Sequence, residues 1–314
     1  MKCQTSKFCI QGGSILLPDG EIQETDILIS DGKIDDIGSS PNKTVERLNA
    51  SGCMVLPGIV DLHGDAFERQ IMPRPGVSFP LTLAFLDTDR QLVANGITTA
   101  YHGITYSWEP GLRGRETVTK VMTALKNVSK RLGADTKCHL RFETFNFAAG
   151  DEVLNWILDR NIDFLAFNNH LPSIRKKIQE NQSLSQFLER SGLEKDAFLQ
   201  LVEKLSEREH ETTKLVEKLA KTARDHSISM ASHDDKTAAT RQFYNSLGCY
   251  ISEFPLTAEA INQAQELGNQ IVLGAPNIVR GGSHMGASGL SAAESIKAGM
   301  GDILCSDYLS LIHI

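Results

Sequence analysis

Short apolar segments alternate with helical stretches from Ile59 onward, and this alternation constrains the fold more than any other feature of the sequence. Strands that alternate with helices form parallel sheets, because each crossover returns the chain to the same edge of the sheet. Eight such segments can be counted, so we predict an α/β fold of the TIM-like (β/α)8 barrel type. The eight predicted strands are Ile59–His63, Ile97–Gly103, His139–Glu143, Ile162–Asn168, Ile228–His233, Tyr250–Phe254, Gln270–Gly274 and Asp302–Ser306.

The connections between these strands carry helical patterns. Leu81–Ala94 and Thr257–Leu267 show helical apolar spacing, and Thr257 is a typical N-cap residue. The connection Ile174–Asp225 is too long for a simple crossover, and its apolar residues recur at helical spacing around Val202 and Val216. Two interpretations stay open: a pair of amphipathic helices that cover one another, or a lid or dimer contact over the barrel mouth.

The segment before the barrel predicts a small β-sandwich-type domain. Cys9–Leu17, Asp26–Ser30 and Lys33–Ile37 have strand character, and turns at Gly20 and at Asp31-Gly32 separate them. An aspartate-glycine pair between short strands indicates a hairpin, because glycine tolerates the positive φ of such turns. We predict this domain over residues 1–56, as part of a composite sandwich, and the barrel over residues 57–314.

Composition excludes several classes of protein. The net charge of −7 argues against a nucleic-acid partner. The sequence contains neither the ~20 consecutive apolar residues of a membrane span nor a secretory signal pattern, which predicts a cytoplasmic chain without a membrane partner. Its six cysteines include no Cys-x-x-Cys pair and are typical of reduced cytosolic thiols. A homodimer stays open.

The first barrel strand ends in His63-Gly64-Asp65. Side chains at positions i and i+2 of a strand point to the same face, so His63 and Asp65 can bind one metal ion. Catalytic residues of barrel enzymes lie at this carboxyl end of the strands. Taken alone, the pair is explained better by a structural hydrogen bond.

Other predicted strands also end in a residue that can bind metal. Buried and unpaired, such residues would each cost several kcal/mol, and divalent metal removes that cost. Three carboxylates and three neutral imidazoles around two divalent ions leave a positive charge, which suits activation of a water molecule. Donors of this kind without thiolate favour zinc, with manganese, iron or nickel as alternatives. The six candidate ligands are His63, Asp65, Glu143, His170, His233 and Asp307.

The order of these residues resembles the amidohydrolase superfamily. Its first strand carries a His-x-His or His-x-Asp pair after a Pro-Gly hinge, and a glutamate or a carboxylated lysine bridges two metal ions. The resemblance implies that Glu143 is the bridge and that His170 and His233 hold the second ion. It also implies that Asp307 is both a ligand and the catalytic general base.

One branch of this family is matched more closely, in segments that span nearly the whole chain. It comprises the phosphonate-metabolism hydrolases of the carbon–phosphorus lyase pathway. The resemblance implies that metal-activated water cleaves ribose 1-methylphosphonate 5-triphosphate to the 5-phosphate and pyrophosphate. The matching segments are Met72-Pro-Arg-Pro-Gly76, Gly96-Ile-Thr-Thr99, His139-Leu-Arg141, Ala231-Ser-His-Asp-Asp235, Glu253-Phe-Pro255, Gly274-Ala-Pro-Asn277, Val279-Arg-Gly-Gly-Ser-His284 and Ser306-Asp-Tyr308.

A small phosphorylated sugar is the predicted substrate, and a glycine-rich loop is its predicted binding site. Arg280, Ser283 and His284 surround two glycines whose free N–H groups can bind phosphate oxygens. The alternative is a loop that merely turns the chain. Arg74 follows the first ligand pair on a proline-stiffened segment and is a further candidate contact. Arg141 lies two residues before Glu143 and can point into the barrel, where it can simply pair with a carboxylate.

Three departures from the branch qualify this prediction. The family usually has Asp-His-Thr-Pro-Gly where this chain has Asn169 to Ser173, and Asn-Leu-Glu where it has Ala66 to Glu68. Another phosphate ester or a cyclic amide therefore stays open as the substrate. Family members also continue for several dozen residues beyond the aspartate that matches Asp307. We therefore expect a shortened barrel without its closing helix and returning strands, and a truncated, inactive member is the second alternative.

Overall fold

The computed structural model describes residues 7–39, 45–281 and 291–307, with the side chain of Arg280 left out. The chain divides into two compact units, Met1–Gly58 and Ile59–Ile314. Among the described residues, no helix combines the length and the apolar character needed to cross a membrane.

The first unit is a small β-sheet of five strands, ordered β3-β2-β1-β4, with β5 paired to β1. The predicted hairpin between β2 and β3 turns at Asp31 and Gly32, whose φ values are 54° and 74°. Two positive φ values in succession are what a tight two-residue hairpin requires. Cys9, Ile15 and Ile27 are buried. The strands are β1 Lys7–Leu16, β2 Ile22–Ser30, β3 Lys33–Ile37, β4 Glu46–Asn49 and β5 Met54–Val55.

The second unit contains eight parallel strands, in the order β13-β12-β11-β10-β9-β8-β7-β6. All eight predicted strands are confirmed, with ends that differ by up to four residues. β7 and β8 are longer than predicted, because Thr105, Tyr106 and Asp135–Cys138 continue the ladder between them. The strands are β6 Ile59–Gly64, β7 Ile97–Tyr106, β8 Asp135–Glu143, β9 Phe164–Asn168, β10 Ser229–His233, β11 Ile251–Glu253, β12 Gln270–Gly274 and β13 Ile303–Cys305.

The first and last of these strands nearly close the sheet into a barrel. Asp307 pairs with Gly64 across the seam, its N–H donates to the His63 carbonyl at 2.8 Å, and its own carbonyl accepts from Asp65 N–H at 3.0 Å. Ser306 N–H donates to Asp61 Oδ1 at 3.0 Å one step earlier. Closure therefore places the ends of β6 and β13 side by side.

Helices cover the outside of this barrel. The predicted helix Leu81–Ala94 has the predicted bounds, and Thr257 caps the helix that follows it by accepting from Ala260 N–H at 3.1 Å. The helices are α1 Phe67–Ile71, α2 Leu81–Ala94, α3 Arg115–Val128, α4 Gly150–Leu158, α5 Leu171–Gln179, α6 Ser185–Ser191, α7 Lys195–Glu207, α8 Thr212–Asp225, α9 Ala238–Ser246, α10 Ala258–Glu266, α11 Ala275–Arg280 and α12 Ala292–Lys297.

The long connection between β9 and β10 contains four helices that belong to two different layers. Phe198 and Val202 of α7 pack in one apolar cluster with Leu171 of α5. Val216 and Leu219 of α8 pack instead in the main barrel core. The predicted mutual covering of the helices around Val202 and Val216 is therefore wrong. Apolar spacing identifies the buried face of a helix, but it does not show which other element packs against that face.

Candidate metal centre

The carboxyl end of β6 brings one group of candidate ligands together at the barrel seam. Donor atoms of His63, Asp65 and Asp307 lie within 4.8 Å of one another. His63 is completely buried, and its two neighbours are partly buried. The seam hydrogen bonds described above fix the backbone that carries all three. The structure thus places three of the six predicted ligands in one ion-sized cluster.

The pKa values of both carboxylates in this cluster are raised. Burial, and then the negative charge of Glu68, raises the pKa of Asp65. Burial, and then the charge of Asp65, raises the pKa of Asp307 to about 8. Two carboxyl groups that resist ionisation together require either a proton or a cation between them.

A second group lies at the ends of β9 and β10. Donor atoms of His170, His233 and Asp234 also lie within 4.8 Å of one another. Asp234 Oδ2 is 3.3 Å from His170 Nε2, and its Oδ1 is 3.3 Å from His233 Nδ1. Burial opposes ionisation of Asp234, but the neighbouring His233 and His170 lower its pKa well below the usual range.

Asp234 was missed in the sequence analysis, which took only the histidine from the run Ser232–Asp235. Its backbone is left-handed, with φ of 61°. An L-residue other than glycine rarely adopts this conformation, and when it does the site is often functional. The available signal was a carboxylate directly after a strand that already ends in histidine.

Glu143 lies beside the second group. It accepts hydrogen bonds from His170 Nδ1 and, at 3.3 Å, from His170 N–H. Burial opposes ionisation of Glu143, yet the charge and the hydrogen bonds of His170 lower its pKa to about 2. Burial likewise opposes protonation of His170, but Glu143 and Asp234 raise its pKa to about 9. A carboxylate on Nδ1 leaves Nε2 as the nitrogen available to a metal ion, and carboxylates commonly orient metal-binding histidines in this way.

His63 has a corresponding partner in Glu253, at the end of β11. Glu253 Oε1 lies 3.1 Å from His63 Nδ1, and both side chains are fully buried. His139 lies on the other side of this glutamate, with its Nε2 3.7 Å from Glu253 Oε2 and its Nδ1 bonded to the Leu62 carbonyl. Burial is the largest cause that lowers the pKa of His139 to about 3 and that of His63 far below normal, so both rings are neutral.

His139 and Glu253 could be read in the sequence, as part of two motifs, but no chemical role was predicted for either. Together with His63 they form a further cluster, in which donor atoms of the three side chains lie within 4.8 Å of one another. We call it the inner cluster. A neutral histidine has only one lone pair for a metal. Because Glu253 engages Nδ1 of His63, the lone pair is left on Nε2, so this inner cluster and the seam cluster cannot both use that histidine.

Arg141 lies between the group at the end of β6 and the group at the ends of β9 and β10, and it supplies positive charge there. Its Nη1 donates to Asp65 Oδ2 at 3.1 Å, and its Nη2 is 3.2 Å from His233 Nε2. Arg113 adds a second guanidinium, 4.0 Å from Asp65 and held by Glu68 at 2.8 Å. Arg141 therefore reaches the ligand groups and pairs there with the carboxylate of Asp65.

The donors fit a divalent metal by both chemistry and geometry. His63 Nε2 is buried and makes no hydrogen bond among the residues that the structure describes. Such an unpaired group costs about 1–3 kcal/mol, which coordination of a cation would offset. Imidazole and carboxylate ligands without thiolate suit zinc, manganese, iron and nickel.

The predicted substrate contacts are Arg74, Arg280, Ser283 and His284. Arg74 is exposed and pairs with Val77 across a turn of its own loop. Arg280 is the last residue of α11, and its side chain lies outside the described part of the structure, as do Ser283 and His284. Their assignment to substrate stays a prediction.

Comparison with known proteins gives one relative that matches almost the whole chain. Over 300 residues the chain is 30% identical to the alpha-D-ribose 1-methylphosphonate 5-triphosphate diphosphatase of Escherichia coli strain K12. The match covers 93% of this chain and 78% of that protein. A shorter match, 44% identical over 59 residues, is to a dihydroorotase of Pelotomaculum thermopropionicum and covers 18% of this chain and 14% of that protein. No family model matches the sequence.

Among solved structures, a metal-dependent hydrolase from Pyrococcus furiosus has a similar fold. It superimposes with a TM-score of 0.59 over 97% of this chain and 86% of its own, at 8% sequence identity. At that identity the likeness concerns the fold alone.

Proposed function

Since this chain belongs to the amidohydrolase superfamily, within its phosphonate-metabolism branch, we propose that it is a diphosphatase that cleaves ribose 1-methylphosphonate 5-triphosphate to the 5-phosphate and pyrophosphate. The observation that carries the proposal is the pair of ligand groups at the ends of β6, β9, β10 and β13. Each group combines histidine with carboxylate and has the size of one ion.

Two divalent ions, with zinc favoured, would be held by these groups. His63, Asp65 and Asp307 would bind one ion, and His170, His233 and Asp234 the other. Bound there, the metal lowers the pKa of a water molecule and polarises a phosphoryl oxygen. Glu143 is assigned to orient His170, and its predicted role as a bridge between the ions stays an alternative.

The side chains of this chain then have two tasks. Arg141 and Arg113 place positive charge beside Asp65, where a triphosphate would be held against an otherwise acidic cluster. Asp307, whose carboxylate lies in the seam cluster beside His63 and Asp65, is assigned as the general base. It takes the proton of the attacking water as the new bond to the α-phosphorus forms. The bond from the α-phosphorus to the bridging oxygen breaks, and pyrophosphate leaves.

The test is pyrophosphate release from the ribose triphosphate by protein reconstituted with zinc or manganese. We expect turnover in the wild type and a loss of about 100-fold or more in His233→Ala and Asp234→Asn, because each variant removes a ligand whose ion contributes several kcal/mol. His226→Ala is the matched control, since the His226 ring bonds to the Thr222 carbonyl at the end of α8 and belongs to neither ligand group. Activity unchanged in His233→Ala would contradict the proposal.

A cyclic amide is the second candidate substrate. The match to a dihydroorotase favours it, although that match covers only 59 residues. A panel containing the ribose triphosphate, simple phosphate esters, dihydroorotate and hydantoins discriminates between the two. Hydrolysis of a ring amide without pyrophosphate release would assign the centre to the amide.

A further inference from the structure

We propose that Arg241 of α9 is a positioning residue that holds the turn carrying His233 and Asp234 and thereby sets the affinity of the second ion. The inference rests on the metal centre of the proposed function. It concerns the motif formed by residues 232–235. His233 and Asp234, the two central residues, are assigned as metal ligands, and the outer two are not.

Arg241 is completely buried, which an arginine tolerates only when its charge and N–H groups are paired. Its Nη1 donates to Ser232 Oγ at 2.6 Å and to Asp235 Oδ2 at 3.1 Å. The same nitrogen lies 3.2 Å from the Ile251 carbonyl, and Nη2 donates to the Cys249 carbonyl. One guanidinium therefore ties α9 to the end of β10 and to the start of β11.

Asp235 completes this network from the other side. Its Oδ2 accepts from the hydroxyl of Ser232 and, at 3.3 Å, from that of Ser252, in addition to Arg241. Burial raises the pKa of Asp235, and the charge of Arg241 opposes that rise. We name these four residues, Ser232, Asp235, Arg241 and Ser252, the β10–β11 clamp.

The clamp encloses the strained residue. Ser232 and Asp235 flank the ligand pair on either side, and both side chains are fixed to the same guanidinium. Between them, Asp234 has a φ of 61°, a conformation that costs about 1–3 kcal/mol and persists only where the surroundings impose it. Its N–H donates to the Glu253 carbonyl at 2.9 Å, which ties the turn to β11 as well. Held in this way, Asp234 places one oxygen near each histidine.

A buried ion pair could also serve stability alone, so the experiment separates the two roles. Removing one partner of such a pair leaves an uncompensated charge and destabilises any fold. Replacing both partners with apolar residues of similar volume is often neutral. The double variant Arg241→Met/Asp235→Leu therefore keeps the core filled while it removes the clamp.

The measurement is zinc affinity in the absence of substrate, by competition with a chelating indicator, together with the visible spectrum of the Co²⁺-loaded protein. We expect the double variant to melt near the wild-type temperature and to bind one ion normally, with the other weakened about 10- to 100-fold, as for other residues that orient metal ligands. The Co²⁺ spectrum of the second site should change. Ser252→Ala, which leaves the charges paired, should weaken the same ion roughly 2- to 10-fold.

Leu219→Ala is the control for stability, since Leu219 is buried in the main core and is not one of the clamp residues. It should lower the melting temperature and leave both ion affinities unchanged. Wild-type affinity for both ions in the double variant and in Ser252→Ala would overturn the proposal. A wild-type protein that binds fewer than two ions would overturn the metal centre itself, whereas two ions without pyrophosphate release would refute only the diphosphatase.

Discussion

At the scale of single residues, His102 of β7 shows what burial does to a titratable side chain. It lies edge-on to Phe67 and Phe85, with ring centroids 5.5 and 5.4 Å away. Its Nε2 has no hydrogen-bond partner among the described residues. Burial lowers the pKa of His102 from 6.5 to about 4, and the charge of Asp89 opposes that shift only in part. The folded protein therefore keeps this imidazole neutral where the unfolded chain would protonate it.

This shift predicts part of the acid sensitivity of the fold. Below pH 6.5 the unfolded chain binds a proton at His102, whereas the folded chain binds it only when the pH falls to about 4. The free energy of unfolding therefore decreases as the pH falls from 6.5 to about 4. The full effect is about 3 kcal/mol. In His102→Phe the free energy of unfolding should fall by about 3 kcal/mol less than in the wild type over the same pH range. The larger side chain has some room, because a cavity of about 10 Å³ lies beside the ring. Urea unfolding of both proteins from pH 7 to pH 4, with a chelator present, measures the difference. Parallel curves would contradict the assignment.

Some residues of the site could be predicted from their position at the end of a strand, and others could not. His63, Asp65 and Asp307 were predictable, because a titratable side chain at the carboxyl end of a buried strand needs a partner. Asp234 was not predicted, although it directly follows a strand that ends in histidine, and the sequence does not show its left-handed φ of 61°. Glu253 also ends a strand, but its role depends on a hydrogen bond to a residue 190 positions away in the sequence. The spacing of residues in the sequence does not predict such a long-range contact.

At the scale of elements, the α5–α7 layer is fastened to the loop after β7. Glu109 is fully buried and pairs with Arg190 of α6. At Gly111, with φ of 83°, an added Cβ would lie 2.2 Å from the Arg190 carbonyl oxygen. Backbone meets backbone there, so the contact has no flexible side chain that could move aside. The loop and α6 are therefore held in one arrangement.

We expect Gly111→Ala to loosen this layer and leave the barrel folded. The methyl group would force the loop from α6 and would also occupy a strained backbone conformation, and each effect costs about 1 kcal/mol or more. Hydrogen exchange and limited proteolysis should show faster opening across Leu171–Glu207. Gly192→Ala is a matched control, because Gly192 also has a positive φ, of 68°, but has open space around its Cβ position. Equal loosening in both variants would show that backbone strain, and not the contact, holds the layer.

The same layer shows how far element prediction from sequence reaches. α7 and α8 have similar apolar spacing, and both were predicted as helices. Their partners differ because Phe198 faces a cluster built on Phe145 and Leu171, whereas Leu219 faces the barrel. Strands were easier to assign, since a parallel barrel restricts each buried strand to one kind of neighbour.

At the scale of the whole molecule, the barrel gathers its buried acidic groups at one edge. Asp65, Asp234 and Asp307 approach one another there, and the pKa of Asp307 is raised largely because burial and Asp65 disfavour its charge. Negative charge collected in this way destabilises the folded unit unless cations or protons balance it. Metal binding and folding are therefore coupled in the unit Ile59–Ile314.

This coupling predicts a metal-dependent melting temperature. A ligand that binds only the folded state at 100 times its Kd stabilises that state by about 2.7 kcal/mol. For a unit of this size, that corresponds to a rise of roughly 5 to 11 °C per ion. Calorimetry of the chelated protein, followed by stepwise zinc addition, should show two increments.

Variants assign the two increments to the two ligand groups. His63→Ala should remove the increment of the seam cluster, and His170→Ala that of the second group, while His226→Ala keeps both. Each variant retains one complete set of three donors, so the remaining increment should keep its wild-type size. A single increment that either variant abolishes would mean that the two groups bind one shared ion, with Arg141 supplying the second positive charge between them.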